Sequence, residues 1–351
     1  MWCSRRPLHA AVHRPGERHA ARGVTLVELV TSVAVLGLLV ALLLPAIQGA
    51  RVAPPRARCA NNLHQIGVAV LGYEAAYSLL PLPAGIPTLT PRGGGPVAHR
   101  QYSIYTRILS YLDLSPAYSS VNFHVPLADP YLHDPAALHR AGSLANQTVM
   151  QLSIGVLLCP SDGRPQEPGS VNYRANLGVE RWYFSLNGPL MDGVKPIPIS
   201  AIRDGTSQTV GFSERLRGSG GTGGVDLRSD LLILPEGSMG AEWPLDAALR
   251  RCADQTDGID AIFAHAGRSW FVGTLSQTCY NHTILPNSTS PDCASRMSDP
   301  ISGLVGPRSN HPTGVHVLFM DGSTRFLRNS IDVSVWRALG TRAGGEVVEV
   351  E

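Results

Sequence analysis

The chain has 351 residues, enough for one large domain or two small ones, and with Gly 36, Pro 27 and only 16% charged residues it reads as loop- and turn-rich rather than as a helical bundle. Its formal charge of +2 hides an asymmetry: residues 1–23 carry Arg5, Arg6, Arg14, Arg18 and Arg22 against Glu17, a net of +4, and the remainder holds 24 basic and 26 acidic residues. A near-neutral body leaves no electrostatic footprint for nucleic acid, so nucleic acid is not an expected partner.

Residues 1–23 show no apolar periodicity and read as a detachable basic leader. Cys3 lies in it with no apolar stretch before it, which argues against a lipoprotein. From Val24 to Ile47 the chain is apolar for 24 residues, about 36 Å as a helix, against a hydrocarbon core of roughly 30 Å. The basic flank keeps the leader cytoplasmic and the body periplasmic or extracellular, a single pass through the inner membrane. Pro45 removes a helical hydrogen bond and predicts a kink.

Glu28 stands alone in this apolar run. A carboxylate in a spanning helix is costly and is normally paired and functional; the plain alternative is a charge near enough to the interface to stay hydrated. Residues 48–80 predict an amphipathic helix, with Leu63, Ile66, Val70, Tyr73 and Tyr77 as one apolar stripe. Pro54-Pro55 predicts a kink or break near Ala53, and Pro81 and Pro83 an end near Leu80.

Residues 81–351 are expected to form a β-rich extracytoplasmic domain. Residues 81–100 read as a Pro/Gly loop, and Ser103–Leu114 as a strand or a short helix. Val156-Leu157-Leu158-Cys159 reads as a buried strand running into the turn Pro160-Ser161-Asp162-Gly163. Asp204-Gly205-Thr206-Ser207 is a side-chain-stabilised turn feeding a strand at Val210–Ser213, with Glu214 at its end. Gly218–Gly224 is a flexible loop, and Trp270–Gly273 and Val315–Met320 are further strands. Asp321-Gly322, between Val315–Met320 and Ser323–Leu327, predicts a hairpin with a two-residue turn over 315–327. The first of its strands is apolar on both faces and belongs inside a sheet.

These motifs carry a resemblance. Arg22-Gly23-Val24-Thr25-Leu26-Val27-Glu28 resembles the cleavage and methylation signal of type IV prepilins and type II secretion pseudopilins. His311 lies nine residues before Asp321-Gly322, an H-x9-D-G spacing. Together with Cys59-Ala60-Asn61-Asn62-Leu63-His64-Gln65-Ile66-Gly67, Leu158-Cys159-Pro160-Ser161-Asp162 and Asp204-Gly205-Thr206-Ser207-Gln208-Thr209, this resembles the pseudopilin-like group called domain of unknown function 1559. The resemblance implies a pilin-like α+β fold: a long N-terminal helix packed on an enlarged, mainly antiparallel β domain. It also implies cleavage after Gly23 by a prepilin peptidase, an α-amine on Val24, and pairing of Glu28 with that amine in a neighbouring homo- or hetero-pilin subunit. Val24 replaces the phenylalanine usual in such signals, which bears on methylation, and Thr313 stands where a glycine is common.

Five cysteines follow the leader, and export favours disulfides. Cys59 with Cys159 is the preferred pair because it would staple helix to sheet. A bridge among Cys252, Cys279 and Cys293 is the second, and buried free thiols are the alternative. Metal-type C-x-x-C spacing is absent, which argues against structural zinc. His311, Asp321 and His316 read first as structural residues of the hairpin. Glu214, Asp204 and Asp162 suggest at most a Ca²⁺ site, and otherwise no cofactor is expected. No catalytic motif is present, so the expectation is a structural or assembly protein and not an enzyme. The alternative is an anchored module that binds a solute, glycan or Ca²⁺.

Overall fold

A computed structural model of the protein describes residues 25–84, 102–124, 145–181, 186–192, 195–221, 224–235, 237–239, 243–255, 258–295 and 303–346, except for the side chains of 42–54. The leader, Gly23, Val24, most of the 81–100 loop and the centre of the glycine loop lie outside these residues, and the side chain of Pro45 lies among the exceptions. The chain forms two compact units, residues 1–52 and 53–351.

Helix α1 (Leu26–Tyr77) belongs to both units and is assigned through Pro54-Pro55; the divide between units falls beside that pair, between Val52 and Ala53. In the first unit the helix opens on a capping box. The Thr25 hydroxyl accepts the Glu28 backbone N–H at 3.3 Å, and the Glu28 carboxylate accepts the Thr25 backbone N–H and hydroxyl, both at 2.9 Å. Leu26, Val27, Leu29, Val30, Val33, Val35, Leu36, Leu38, Leu39 and Val40 are all exposed. Among the described residues no helix is long and apolar enough to cross a membrane.

In the second unit the same helix turns Cys59, Leu63, Ile66 and Val70 into a core, with Tyr73 half-buried against it and Tyr77 exposed. It ends at Tyr77, three residues before the expected Leu80, where Ser78 takes a left-handed φ of 55° and donates its N–H to the Glu74 carbonyl. Short helices α2 (Ile104–Ile108) and α3 (Ser115–Ser119), a 3₁₀ turn at Leu109–Leu112, and α4 (Gln147–Met150) follow.

Among the described residues the strands form two sheets. The larger runs in the order β5 (Cys279–Tyr280), β1 (Tyr173–Asn176), β2 (Val210–Glu214), β7 (Gly314–Phe319), β8 (Thr324–Arg328). The smaller runs β4 (Ala261–Phe263), β3 (Leu231–Leu234), β6 (Asp292–Ser295). The class is α+β, with mixed sheets: β1 pairs with β5, and β3 with β6, in parallel, while the other pairings are antiparallel. Helix α5 (Leu245–Asp254) packs on the smaller sheet, and α6 (Val333–Ala338) covers the far face of the larger one through Trp336.

Two expected strands take other forms, and the segment read as either a strand or a short helix is the helix. Ser103–Leu114 is helical, with Ser103 capping α2 by accepting the Tyr105 N–H. The run Val156–Cys159 is not a strand: a 3₁₀ turn covers Gly155–Leu157, and a second covers Pro160–Asp162. Pro160 has no N–H to give a ladder, and each turn satisfies its amides locally, Leu157 to Ile154 and Asp162 to Cys159. Trp270–Gly273 is buried but makes only an isolated bridge between Val272 and Tyr102.

The hairpin is present, with β7 inside the sheet and every one of its residues buried. Its turn differs from the two-residue form. Asp321 keeps a negative φ while Gly322 takes +87°, and Gly322 N–H bonds the Phe319 carbonyl. This is a three-residue loop closed by a left-handed glycine, so only Gly322 and not Asp321 needs positive φ.

Helix and sheet meet closely at Gly67. A Cβ there would lie 2.7 Å from Leu318 Cδ1 and 3.5 Å from Gly322 Cα. One turn away, His64 Nδ1 lies 3.1 Å from the Gly322 carbonyl oxygen.

Candidate functional site

Three of the motifs scattered in sequence, Cys59-Ala60-Asn61-Asn62, Leu158-Cys159-Pro160-Ser161-Asp162 and His311, meet where β2 ends and β7 begins. Cys59 on α1 and Cys159, in the loop before β1, form a disulfide, as expected. Asn62, one helical turn on, donates to the Leu158 carbonyl at 2.8 Å and to the Tyr173 hydroxyl at 3.2 Å, and Tyr173 donates to the Cys59 carbonyl. The Cys-Ala-Asn-Asn segment and the Leu-Cys-Pro-Ser-Asp segment are thus fastened by a covalent bond and side-chain amides together.

The chemistry at the centre belongs to Glu214. It ends β2, a strand buried along its whole length, so its carboxylate points into protein rather than water. Oε1 lies 3.2 Å from His311 Nε2 and 3.1 Å from His316 Nδ1, and Oε2 accepts the His316 backbone N–H at 2.8 Å. Burial raises the Glu214 carboxyl, but the hydrogen bonds and charges of His311 and His316 outweigh it and hold the group below its ordinary value. The two imidazoles meet edge to face at 4.8 Å, His316 packs on Phe326 at 4.9 Å, and the Arg56 guanidinium covers that ring at 3.8 Å.

The disulfide borders this group. Cys159 Sγ lies 3.8 Å from Glu214 Oε1, and the Ser161 hydroxyl lies 3.6 Å from Cys59 Sγ. Cys59 Sγ, Cys159 Sγ, a Glu214 oxygen and a His311 nitrogen all fall within 4.8 Å of one another, and all four residues are buried.

The other expected site residues divide. Asp321 and Gly322 make the hairpin turn: Asp321 Oδ1 accepts the Ser323 N–H at 2.8 Å, and its own N–H bonds the Thr206 carbonyl at 3.1 Å. The Asp204-Gly205-Thr206 turn therefore supports the Asp-Gly turn directly. His311 is not part of the hairpin's own turn; it serves Glu214. Glu214, Asp204 and Asp162 each have other partners. Asp204 accepts the N–H groups of Gly344 and Gly345 at 2.7 and 2.9 Å. Asp162 is held by Arg217 at 2.5 Å and by Asn172 at 2.7 Å. Glu28 is engaged by Thr25 in the capping box. Gly23 and Val24 lie outside the described residues.

Two relationships escape sequence reading. Glu214 and His316 look unrelated until β2 and β7 pair; the available signal is that both stand on continuous apolar strands, where a polar side chain needs a partner. Asp292 on β6 takes both Arg215 and Arg308, the latter at 2.8 Å, with all three side chains essentially without solvent contact. This ion cluster joins the smaller sheet to the residues flanking β2 and β7. A second disulfide, Cys252–Cys293, ties α5 to β6 and is the bridge expected among the last three cysteines; Cys279 remains a buried thiol that burial pushes up to about 12.

The family described as "Protein of unknown function (DUF1559)" matches residues 48–334. The chain belongs to this family. The match takes in every element of the Glu214 site, both disulfides and the hairpin signature, and it begins past the apolar run. No curated protein and no solved structure matches this DUF1559 chain.

Proposed function

We propose that this DUF1559 chain is an exported, membrane-anchored, pseudopilin-like structural or assembly protein. A prepilin peptidase removes the leader after Gly23, Val24–Ile47 anchors the product, and the unit beginning at Ala53 is displayed outside the membrane. The observation that carries this reading is the first turn of α1. One carboxylate, Glu28, stands there among exposed Leu and Val side chains, directly after the Arg22-Gly23 step. An apolar helix surface that its own unit leaves exposed needs lipid or other helices. Two disulfides in the body agree with an oxidising compartment.

In this reading Glu28 has two roles. Within a subunit it caps the helix; between subunits it meets the new α-amine of Val24 and sets the axial register. Gln keeps the capping box, since it also serves at that position, but removes the charge. The experiment is mass spectrometry of the membrane-extracted chain together with Glu28→Gln. The expected result is a mature N-terminus at Val24, with membrane insertion retained and co-assembly lost in the variant. An intact leader on the membrane-bound chain sinks the reading, and unchanged cross-linking between subunits in Glu28→Gln removes the register role.

A further inference from the structure

We infer that reducing the Cys59–Cys159 bridge turns the Glu214 site into a tetrahedral Zn²⁺ site, with Cys59, Cys159, His311 and Glu214 as its ligands. The inference stands on the second unit alone and goes beyond the assembly role.

Geometry supports it first. In a tetrahedral zinc site with Zn–N and Zn–O near 2.0 Å, the N···O edge is about 3.3 Å; with Zn–S near 2.3 Å, the S···O edge is about 3.5 Å. Here His311 Nε2 and Glu214 Oε1 are 3.2 Å apart, and Cys159 Sγ and Glu214 Oε1 are 3.8 Å apart. The four ligand atoms already sit within 4.8 Å of one another. The main rearrangement is for the two sulfurs to part to about 3.8 Å. Each ligand comes from a different segment, namely α1, the loop before β1, the end of β2 and the approach to β7, so the folded core supplies the preorganisation that C-x-x-C spacing supplies in short motifs.

Ligand chemistry narrows the ion. Two thiolates and an imidazole select a borderline-soft metal over Ca²⁺ or Mg²⁺, which take oxygen sets. A supporting shell is also present: Glu214 Oε2 is held by the His316 N–H at 2.8 Å, and the His316 ring lies against Oε1. Such outer partners orient the ligating group.

The charge balances as well. A phosphine reductant takes up the oxygen of one water and becomes the phosphine oxide, while the disulfide gains two electrons and two protons as two thiols. Zn²⁺ then displaces both thiol protons. His311 ligates as the neutral ring, its one proton on Nδ1, so that the lone pair of Nε2, the nitrogen now facing Glu214 Oε1, is free for the metal. One divalent cation, two thiolates and one carboxylate sum to the single negative charge that Glu214 alone carries, so the buried site gains no net charge. Reoxidation by a disulfide oxidant removes two electrons from the thiolates and releases the ion; zinc itself undergoes no redox change.

Co²⁺ is the probe. The full chain in detergent, reduced with a phosphine and dialysed anaerobically against Co²⁺, should bind one ion per chain. It should show thiolate-to-metal charge-transfer bands and the strong visible bands of a tetrahedral site, bleached by added Zn²⁺. The oxidised chain should show neither band. Cys252→Ser/Cys293→Ser, which removes the other bridge, should keep the spectrum. His316→Ala should weaken Co²⁺ binding by about 10–100-fold. His311→Gln, which is folded and oxidised before reduction, should lose the tetrahedral bands while its oxidised form keeps the parent's near-ultraviolet dichroism. The proposal is overturned if the reduced Cys252→Ser/Cys293→Ser chain shows no thiolate band. It is equally overturned if that band persists undiminished in Cys59→Ser/Cys159→Ser.

Discussion

The Glu214 carboxylate accepts the backbone N–H of His316 at 2.8 Å and lies 3.1 Å from the same residue's ring nitrogen, so one residue of β7 grips it twice. Burial opposes ionisation of Glu214, but the two histidines win, and the carboxyl is held below its ordinary value. A group depressed in the folded chain favours folding above its unfolded pKa, about 4.3, and that contribution is lost as pH falls through the lower folded value. The wild-type chain is therefore expected to lose more stability than Glu214→Gln as pH drops from about 6 to about 3. Near neutral pH the variant is expected to be less stable by about 1–3 kcal/mol, because buried donors lose a charged acceptor. Denaturant melts at a series of pH values check both points, and parallel pH profiles for the two chains would count against the linkage.

Asp292 gives a larger effect. It faces Arg215 and Arg308 where none of the three side chains meets solvent, so removing the carboxylate strands two buried guanidinium groups. Breaking a buried ion group from one side costs about 3–5 kcal/mol, against 0–1 kcal/mol for a surface pair. Asp292→Ala should fall in the first range and Asp226→Ala, whose pair with Arg164 is partly exposed, near the second. Comparable melting temperatures for the two variants would contradict this ranking.

Much of this architecture is legible in the sequence, and the losses share a cause. The stripe Leu63, Ile66, Val70, the strand Val210–Ser213 and the hairpin around Asp321-Gly322 announce themselves through local period or turn chemistry. Cysteine count, in contrast, assigns no connectivity, and the Cys59–Cys159 pair rests on its stapling helix to sheet. Val156–Cys159 and Trp270–Gly273 mislead because a short apolar run reports burial, and burial does not require a ladder. Leu157 is fully buried within a 3₁₀ turn, and Val272 has a single bridge partner. The Glu214–His316 and Asp292–Arg215 relationships join residues 102 and 77 positions apart. No local pattern encodes such a partner; strand order does. The carboxylates grouped by type, Glu214, Asp204 and Asp162, separate because Asp204 is used by the C-terminal Gly344-Gly345 turn and Asp162 by Arg217.

The cysteines give a direct chemical count. Of the five from Cys59 onward, four are bridged and Cys279 is free. In denaturant without reductant, an alkylating reagent should modify Cys279 alone among these five. In the native chain Cys279 should be silent at neutral pH, because burial pushes the thiol up to about 12 and the thiolate is the reactive form. Peptide mapping that places the label on Cys252 or Cys293 instead would refute the second bridge. Opening either bridge, across 100 or 41 residues, should cost about 2–5 kcal/mol, seen as a lower denaturation midpoint after reduction.

Gly67 tests how tightly the helix must lie on the sheet. Glycine inside a helix costs about 1 kcal/mol relative to alanine, so a neutral site would gain stability on substitution. Here an added Cβ would come within 2.7 Å of Leu318 Cδ1, and Leu318 is itself buried against the helix. Overpacking of this kind costs about 1–3 kcal/mol, and the excess grows with side-chain size. Gly67→Ala should consequently be close to neutral, since Leu318 can yield by a rotamer at the expense of the propensity gain. Gly67→Val should lose about 1–3 kcal/mol, because its second methyl also meets the Gly322 backbone, 3.5 Å from the Cβ position. Its amides along 63–71 should exchange hydrogen faster than in the parent chain, as the helix lifts from β7. If Gly67→Val melts at or above the parent's midpoint, the contact between helix and hairpin is looser than the Gly67–Leu318 approach requires.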